Sequence, residues 1–471
     1  MKKFNPLVKS SIIYSISNIY IRIINLLVLI FTTKYISPSE LGLFKTLQIV
    51  PSFSKYLCFD FFSLTLRESA KINMTGFGVD SSIRNSSYTY YSLWNIIIIL
   101  SVSILFLNFF SEYIAFFPFL IFSLIFIIIV NLFKNDLKLM QRFGTISLIE
   151  SFSYTGSFIL FILTVKEYKL YSRLSFDLFI PILAFVFSMF LFKFRFKLNF
   201  SKSEILRQMK ISLPLYITTL LHGLFLWFER LYIGSTLGLE QLGFYMFIII
   251  IIELLSIIIS SFIHVYNVHI YKKLNSYNSF NKCIIDIGDL FFTVSFLSIS
   301  FGFLVLLFGT YLINSLFVQY KTSVQYLFYV PVILWFSSIL NVFASICISE
   351  YFNKQKILVL IKIFSFLIYL VFVLLYDDQN LSHFYFSRCG YIIIHFLFIF
   401  GVFITFTQSN KLLFIFHHAA YIIPLLLIFP SLILKYVYFK SSIFIFFIFL
   451  ILSLITICIY TRYRKNYLVY A

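Results

Sequence analysis

The chain has 471 residues, of which 61% are hydrophobic and only 12% charged, with a formal net charge of +19. No water-soluble interior could absorb so apolar a composition, and no stretch of more than roughly 25 residues lacks an apolar run, which leaves no room for a sizeable soluble domain. The positive charge sits in short loops between apolar runs rather than on one face, so it argues against a nucleic-acid-binding surface and reads as membrane topology.

Apolar runs of about 20 residues, long enough to cross a bilayer as helix, predict spans near 10–34, 41–62, 88–109, 112–133, 144–165, 176–193, 211–236, 242–268, 286–310, 324–349, 357–376, 382–406, 412–434 and 441–461. The expected fold is therefore an all-α polytopic membrane protein of about 14 transmembrane helices. The first run follows the basic Met1-Lys2-Lys3 but contains Arg22 and Asn25 and lacks a small-residue cleavage site, so it reads as a membrane helix rather than a removed signal. An even number of spans puts both termini on one side. Roughly two thirds of the 37 Lys and Arg fall on that side, which places it in the cytoplasm of a bacterial inner membrane.

The richest basic loop, Lys193, Arg195, Lys197, Lys202, Arg207 and Lys210, follows the sixth span. One loop opposes this topology: Lys166, Lys169 and Arg173 would lie outside, partly offset by Glu167. The five cysteines, Cys58, Cys283, Cys347, Cys389 and Cys458, have no metal-like or redox spacing, and neither a metal nor another cofactor is expected.

Polar residues within the spans recur at helical spacing. In the first span Ser11, Ser15, Asn18, Arg22 and Asn25 share one face, and the second carries Lys45, Gln48, Ser52 and Lys55. The fifth span has Glu150, Tyr154 and Ser157. The seventh has Thr218, His222, Glu229 and Arg230 after Pro214, and the eighth has Glu253, Ser256, Ser260, His264 and Asn267. Further on, Lys362 and Ser365 mark the eleventh span and Arg388, Tyr391 and His395 the twelfth. Ser and Asn at such positions commonly serve helix packing, and Lys45, near a span end, can snorkel. Charges at bilayer depth instead point to a wet cavity. The candidate cavity cations are Arg22, Lys45, Lys55, Arg230, Lys362 and Arg388, with Asn18, Asn25, Gln48, Thr218, His222 and Ser260 as polar lining. Glu150, Glu229, Glu253 and His264 are the candidates for ion coupling. Cations outnumber carboxylates, which favours an anionic substrate, and Arg matches phosphate oxygens in a two-point fork.

The chain also echoes itself. Ser39-Glu40-Leu41-Gly42-Leu43-Phe44 follows the first span, and Leu239-Glu240-Gln241-Leu242-Gly243-Phe244-Tyr245 follows the seventh. Six spans lie between the copies, an even number, so the two have the same orientation, as in a parallel repeat. The expected organisation is a six-helix bundle over 1–200, a second over 201–407, and two additional helices with a cytoplasmic tail over 408–471. Spans one, two, seven and eight would line a central cavity between the bundles.

The segment Lys34-Tyr35-Ile36-Ser37-Pro38-Ser39-Glu40-Leu41-Gly42-Leu43-Phe44, with Phe59-Asp60-Phe61 and Leu66-Arg67-Glu68-Ser69-Ala70-Lys71, resembles the start of bacterial polysaccharide flippases. These belong to the multidrug, oligosaccharidyl-lipid and polysaccharide exporter superfamily. A second point of resemblance is Ile211-Ser212-Leu213-Pro214-Leu215 with Glu229-Arg230-Leu231-Tyr232-Ile233-Gly234, where the family usually has Asp in place of Glu229. The resemblance implies two six-helix bundles, alternating access, and translocation of an undecaprenyl-diphosphate-linked glycan, such as an O-antigen or capsule repeat unit, to the outer leaflet. Arg22 is the leading candidate to attract the diphosphate. Membrane lipid, an O-antigen polymerase and a chain-length regulator are the implied partners. The rivals are a lipid II flippase with the same span count and a multidrug antiporter, which would favour acidic cavity residues. A membrane-embedded O-antigen polymerase would need a large outer loop that this chain lacks.

Overall fold

The computed structural model describes residues 6–56, 81–109, 111–140, 142–191, 202–277, 284–342, 355–375 and 380–406. The expected spans 412–434 and 441–461, the segment 408–471 and the motif residues Phe59 to Lys71 lie outside the described residues. The described secondary structure is helical: α1 (Pro6–Tyr35), α2 (Pro38–Leu47), α3 (Ile49–Tyr56), α4 (Ser81–Phe109), α5 (Phe117–Leu139), α6 (Phe143–Leu191), α7 (Lys202–Thr236), α8 (Leu239–Tyr277), α9 (Ile284–Leu316), α10 (Tyr329–Val342), α11 (Gln355–Leu375) and α12 (Leu381–Phe406). Short 3₁₀ segments, Ser111–Phe116 and Val318–Tyr326, precede α5 and α10. Among the described residues, seven helices are long and apolar enough to cross a membrane, or eight if the bent pair Val318–Tyr326 and Tyr329–Val342 is one span. This is a multi-pass membrane protein. The chain divides into two compact units, Met1–Met246 and Phe247–Ala471.

Three local features depart from simple spans. At about 1.5 Å per residue, the 49 residues of α6 would reach far beyond a bilayer as one rod. The helix instead turns back at Lys169, whose φ of 39° is the only positive value at a non-glycine among the described residues. Ring and side-chain contacts pair Phe152 with Phe187, Gly156 with Leu183 and Phe161 with Phe176, all straddling that turn, so α6 is an antiparallel hairpin. Arg173, expected in an outer loop, lies inside the second arm. Lys166, Glu167 and Lys169 stay exposed at the hairpin tip.

The second departure is the break between α2 and α3 at Gln48. Pro51 offers no N–H and its ring crowds the carbonyl four residues earlier, so α2 stops at Leu47 and α3 restarts one residue later. The third is the tenth span, which bends by 68° between its 3₁₀ segment and α10.

The two echoed motifs adopt the same local structure. Each follows a two-residue turn, Ile36-Ser37 after α1 and Leu237-Gly238 after α7. Ser37 caps α2 in a capping box: its backbone N–H donates to Glu40 Oε2 at 2.9 Å while its hydroxyl accepts from the Glu40 N–H at 3.3 Å, and Pro38 takes the first helical position. Gly238, with φ +88°, occupies the matching position before α8, where a side chain would be strained.

The motifs also meet each other. A Cβ added to Gly42 would overlap the Leu239 carbonyl oxygen, and one added to Gly243 would overlap the Pro38 carbonyl oxygen. Each glycine thus lies against the carbonyl four residues before the other glycine, a reciprocal backbone crossing that only residues without a Cβ allow.

Within Met1–Met246, α1 packs on α6 through Ile24, Val28, Phe161, Val165 and Phe176. A second apolar cluster joins α5 to both arms of α6 through Val130, Phe133, Leu137, Ile146, Ile149 and Ala184. Within Phe247–Ala471, α9 packs on α10, with Gly302 against Pro331, and α11 packs on α12.

Gly42→Ala and Gly243→Ala should each destabilise the protein by about 1–3 kcal/mol, the cost of overpacking, and lower the thermal midpoint read by tryptophan fluorescence in detergent. Gly144→Ala, where a Cβ meets nothing within 4 Å, should leave it unchanged or raised.

Candidate functional site

The first compact unit gathers most of the sequence-nominated residues onto α1, α2, α6 and α7. On α1 the arrangement follows from helical geometry. At about 100° per residue, Asn18, Arg22 and Asn25 occupy an arc of about 60°. Ser17, Ile21, Ile24 and Val28 form the buried face toward α6 on one side of that arc, and the exposed Ile16, Ile19, Ile23 and Leu26 form an apolar face on the other. The polar stripe is therefore a third face, distinct from the apolar one suited to lipid. Polar contacts pin α1 to α6: the Ser17 hydroxyl donates to the Ser147 carbonyl at 3.2 Å and lies 2.8 Å from Ser151 Oγ, while Tyr20 Oη lies 2.7 Å from Thr155 Oγ1.

A polar chain runs through α2 into the second arm of α6. Lys45 Nζ donates to Gln48 Oε1 at 3.0 Å, and Gln48 Nε2 donates to Asp177 Oδ2 at 2.9 Å. The other Asp177 oxygen pairs with Arg173, whose guanidinium also lies over the Phe44 and Phe176 rings at 4.6 and 5.0 Å. A separate ion pair joins Lys134 of α5 to Glu150 at 2.8 Å. Tyr154 lies between the groups, within electrostatic reach of Lys134, Glu150, Asp177 and Arg22. Four cations, Arg22, Lys45, Lys134 and Arg173, thus accompany two carboxylates in this set.

The carboxylates are both engaged, Glu150 by Lys134 and Asp177 by Arg173 and Gln48. Arg22 is exposed and makes no ion pair or hydrogen bond with the described residues.

From α7, Arg230 Nη1 donates to the Lys45 carbonyl at 3.3 Å, and Glu229 beside it is buried, at 2% exposure. Trp227 Nε1 donates to Ser52 Oγ at 2.8 Å, with Phe53 and Tyr56 edge-on to its ring. Tyr56 also meets the exposed His222 edge-on and lies against Gly223. The Thr218 hydroxyl donates to the Pro214 carbonyl of its own helix at 2.8 Å.

Lys362, Arg388, Glu253 and Ser260 belong to the second unit. Ser260 donates to the Ile257 carbonyl one turn earlier, at 2.9 Å, and Glu253 is exposed on α8. The side chains of Lys55 and His264 lie outside the described residues.

Lys134, Arg173 and Asp177 were not among the nominated residues: Lys134 and Arg173 fell in stretches read as loop, and Asp177 at the very start of a span. The Arg173–Asp177 spacing of four was nonetheless a readable signal for a helical ion pair.

No family model matches the chain, and no curated protein matches its sequence. Among solved structures, the lipid II flippase MurJ in an inward closed conformation superposes with a TM-score of 0.61 at 16% identity, covering 97% of this chain and all of that one. The fold is that of MurJ. An inward-facing multidrug resistance MATE family transporter of the MOP superfamily shares it, with a TM-score of 0.58 at 13% identity over 84% of this chain and 99% of that one.

Asp177→Ala should destabilise the protein by about 1–3 kcal/mol, because it strands Arg173 and the Gln48 amide. Gln48→Ala should cost less in that background than in the wild type, with a coupling of about 0.5 kcal/mol or more by double-mutant cycle on thermal unfolding.

Proposed function

We propose that this protein is a flippase that carries an undecaprenyl-diphosphate-linked glycan repeat unit, of O-antigen, capsule or similar type, from the cytoplasmic to the outer leaflet by alternating access. The observation that carries this reading is the state of Arg22. It stands mid-helix on a polar stripe apart from the apolar face, and the carboxylates nearby are already engaged by Lys134, Arg173 and Gln48. A cation at bilayer depth without a counter-ion is costly unless an anion completes it. A guanidinium can take two phosphate oxygens at once, while the prenyl tail remains in lipid.

The same proposal places both termini in the cytoplasm and the protein in the inner membrane. It has two six-helix bundles, 1–200 and 201–407, followed by two further helices. Lys45, Lys55, Arg230, Lys362 and Arg388 are assigned to substrate attraction, and Asn18, Asn25, Gln48, Thr218, His222 and Ser260 to polar lining. No bond is made or broken in such a cycle, so the protein acts as a transporter and not as an enzyme. A glycan polymerase and a chain-length regulator would take the product onward.

The whole-length likeness to a lipid II flippase supports a second reading, with lipid II as the substrate. Two experiments separate the possibilities. In a strain lacking the gene, surface glycan should disappear and carrier-linked repeat units accumulate facing the cytoplasm; unchanged surface glycan would remove the first reading. Rescue of a strain depleted of its own lipid II flippase would establish the second. In the wild-type background Arg22→Ala at normal protein level should abolish glycan display, and Arg22→Lys should restore part of it, since Lys supplies the charge without the fork. Full display by Arg22→Ala would take Arg22 out of the mechanism.

A further inference from the structure

The first arm of α6 has two chemically different faces. At about 100° per residue, the exposed Leu148, Phe152, Ile159 and Leu163 share one side of it, an apolar face suited to lipid. Glu150 and Tyr154, one turn apart, lie on the opposite side. Each of them carries a polar atom that the protein leaves open. Lys134 Nζ lies 2.8 Å from Glu150 Oε1, while Oε2 has no partner among the described residues. The Tyr154 hydroxyl makes no hydrogen bond among them either. Neither atom is sealed off. The polar atoms buried without a partner in this unit, among the described residues, belong to Thr32, Asn85, Ser86, Ser157 and Ser172. The Glu150 side chain, by contrast, keeps 14% of its surface accessible, and Tyr154 is half-buried.

The tyrosine ring is nonetheless fixed. It packs against the cluster of Ile24, Val28, Phe161, Val165 and Phe176, and meets the Phe176 ring edge-on at 6.4 Å between centroids. Its hydroxyl is therefore held in place without being used inside the protein, and a phenylalanine would serve the packing equally well.

The charges around these two atoms narrow what they can bind. The Lys134–Glu150 pair carries no net charge, so it draws neither sign strongly. Its ammonium opposes a metal ion at the open oxygen, and its carboxylate opposes an anion at the tyrosine hydroxyl. Just beyond Phe176, Arg173 and Asp177 are likewise a matched pair, with the Gln48 amide on the second Asp177 oxygen. A neutral group rich in hydroxyls suits this setting. Each sugar hydroxyl both donates and accepts: its hydrogen can go to Glu150 Oε2, a charge-assisted acceptor, and its oxygen can take the hydrogen of the Tyr154 hydroxyl.

We propose that Glu150 and Tyr154 form a sugar subsite, which binds hydroxyls of the glycan head group while Arg22 takes the diphosphate. The assignment rests on the flippase reading. It makes Glu150 an acceptor for substrate rather than a coupling group, and makes Tyr154 a specificity residue that a bare prenyl diphosphate would not touch.

The test titrates three lipids against the full-length protein in detergent, read by thermophoresis: undecaprenyl diphosphate, the same carrier bearing the organism's repeat unit, and lipid II. Wild-type protein should bind a glycan-bearing lipid more tightly than the bare carrier. Tyr154→Phe should weaken that lipid by about fivefold or more and leave the bare carrier unchanged. Its thermal midpoint should not move, because no hydrogen bond within the protein is lost. Glu150→Gln, which keeps an acceptor oxygen but not its charge, should weaken the same lipid, whereas Arg22→Ala should weaken all three. Whichever glycan-bearing lipid responds to Tyr154→Phe identifies the source of the sugar. If Tyr154→Phe binds both as the wild type does, or loses the bare carrier equally, the sugar subsite is overturned and the flippase reading stands. If the wild type binds none of the three, the two fall together.

Discussion

The crossing of α2 and α8 at Gly42 and Gly243 is the constraint on which the first unit's candidate site depends. Two helix starts touch backbone to backbone, each glycine against the other motif's carbonyl. Such an approach brings Gly234 of α7 alongside Leu242 and the Thr46 hydroxyl. Close by, Arg230 reaches the Lys45 carbonyl. The capping box of Ser37 and Glu40 and the left-handed Gly238 set the two entry angles. Residues that resemble a family signature therefore have an architectural explanation here: Glu40 caps a helix, and the glycines admit a neighbouring backbone.

Charge pairing then separates structural charges from available ones. A lone ion at bilayer depth is expensive, and the first unit pairs two of its cations with carboxylates. Lys134 is matched by Glu150, Arg173 by Asp177, and the Gln48 amide links that carboxylate to Lys45. These groups hold helices together whether or not a substrate is present. Against that background Arg22 stands out by subtraction, an exposed guanidinium whose potential partners are already engaged. Net positive composition alone could not make that distinction, since it counts paired and unpaired cations alike.

Much of this was legible in the sequence because two periodicities carry it. The run length of apolar residues located the helices from α1 to α12, and the recurrence at three and four residues located the stripes on α1, α11 and α12. The echo of Leu-Gly-Phe-type motifs marked two turns that share a local structure. What was not legible depended on positions where local chemistry overrides those periods. The α6 hairpin turns at Lys169 alone, so residues assigned to a loop became a helical arm and Arg173 moved from the outer surface into a carboxylate network. Pro51 split the second span and placed Gln48 at the break. Which stripes face each other is a tertiary fact: the α11 and α12 stripes were visible separately, but nothing in either stretch says that Ser365 meets His395.

The charged groups of the first unit set the cost of moving its helices. Cations there sit with carboxylates, so a small shift of one helix stretches an ion pair whose partners stay charged, and the electrostatic cost rises continuously rather than in a step. Arg22 has no such pair among the described residues, so a displacement of α1 carries its charge along without stretching an ion pair.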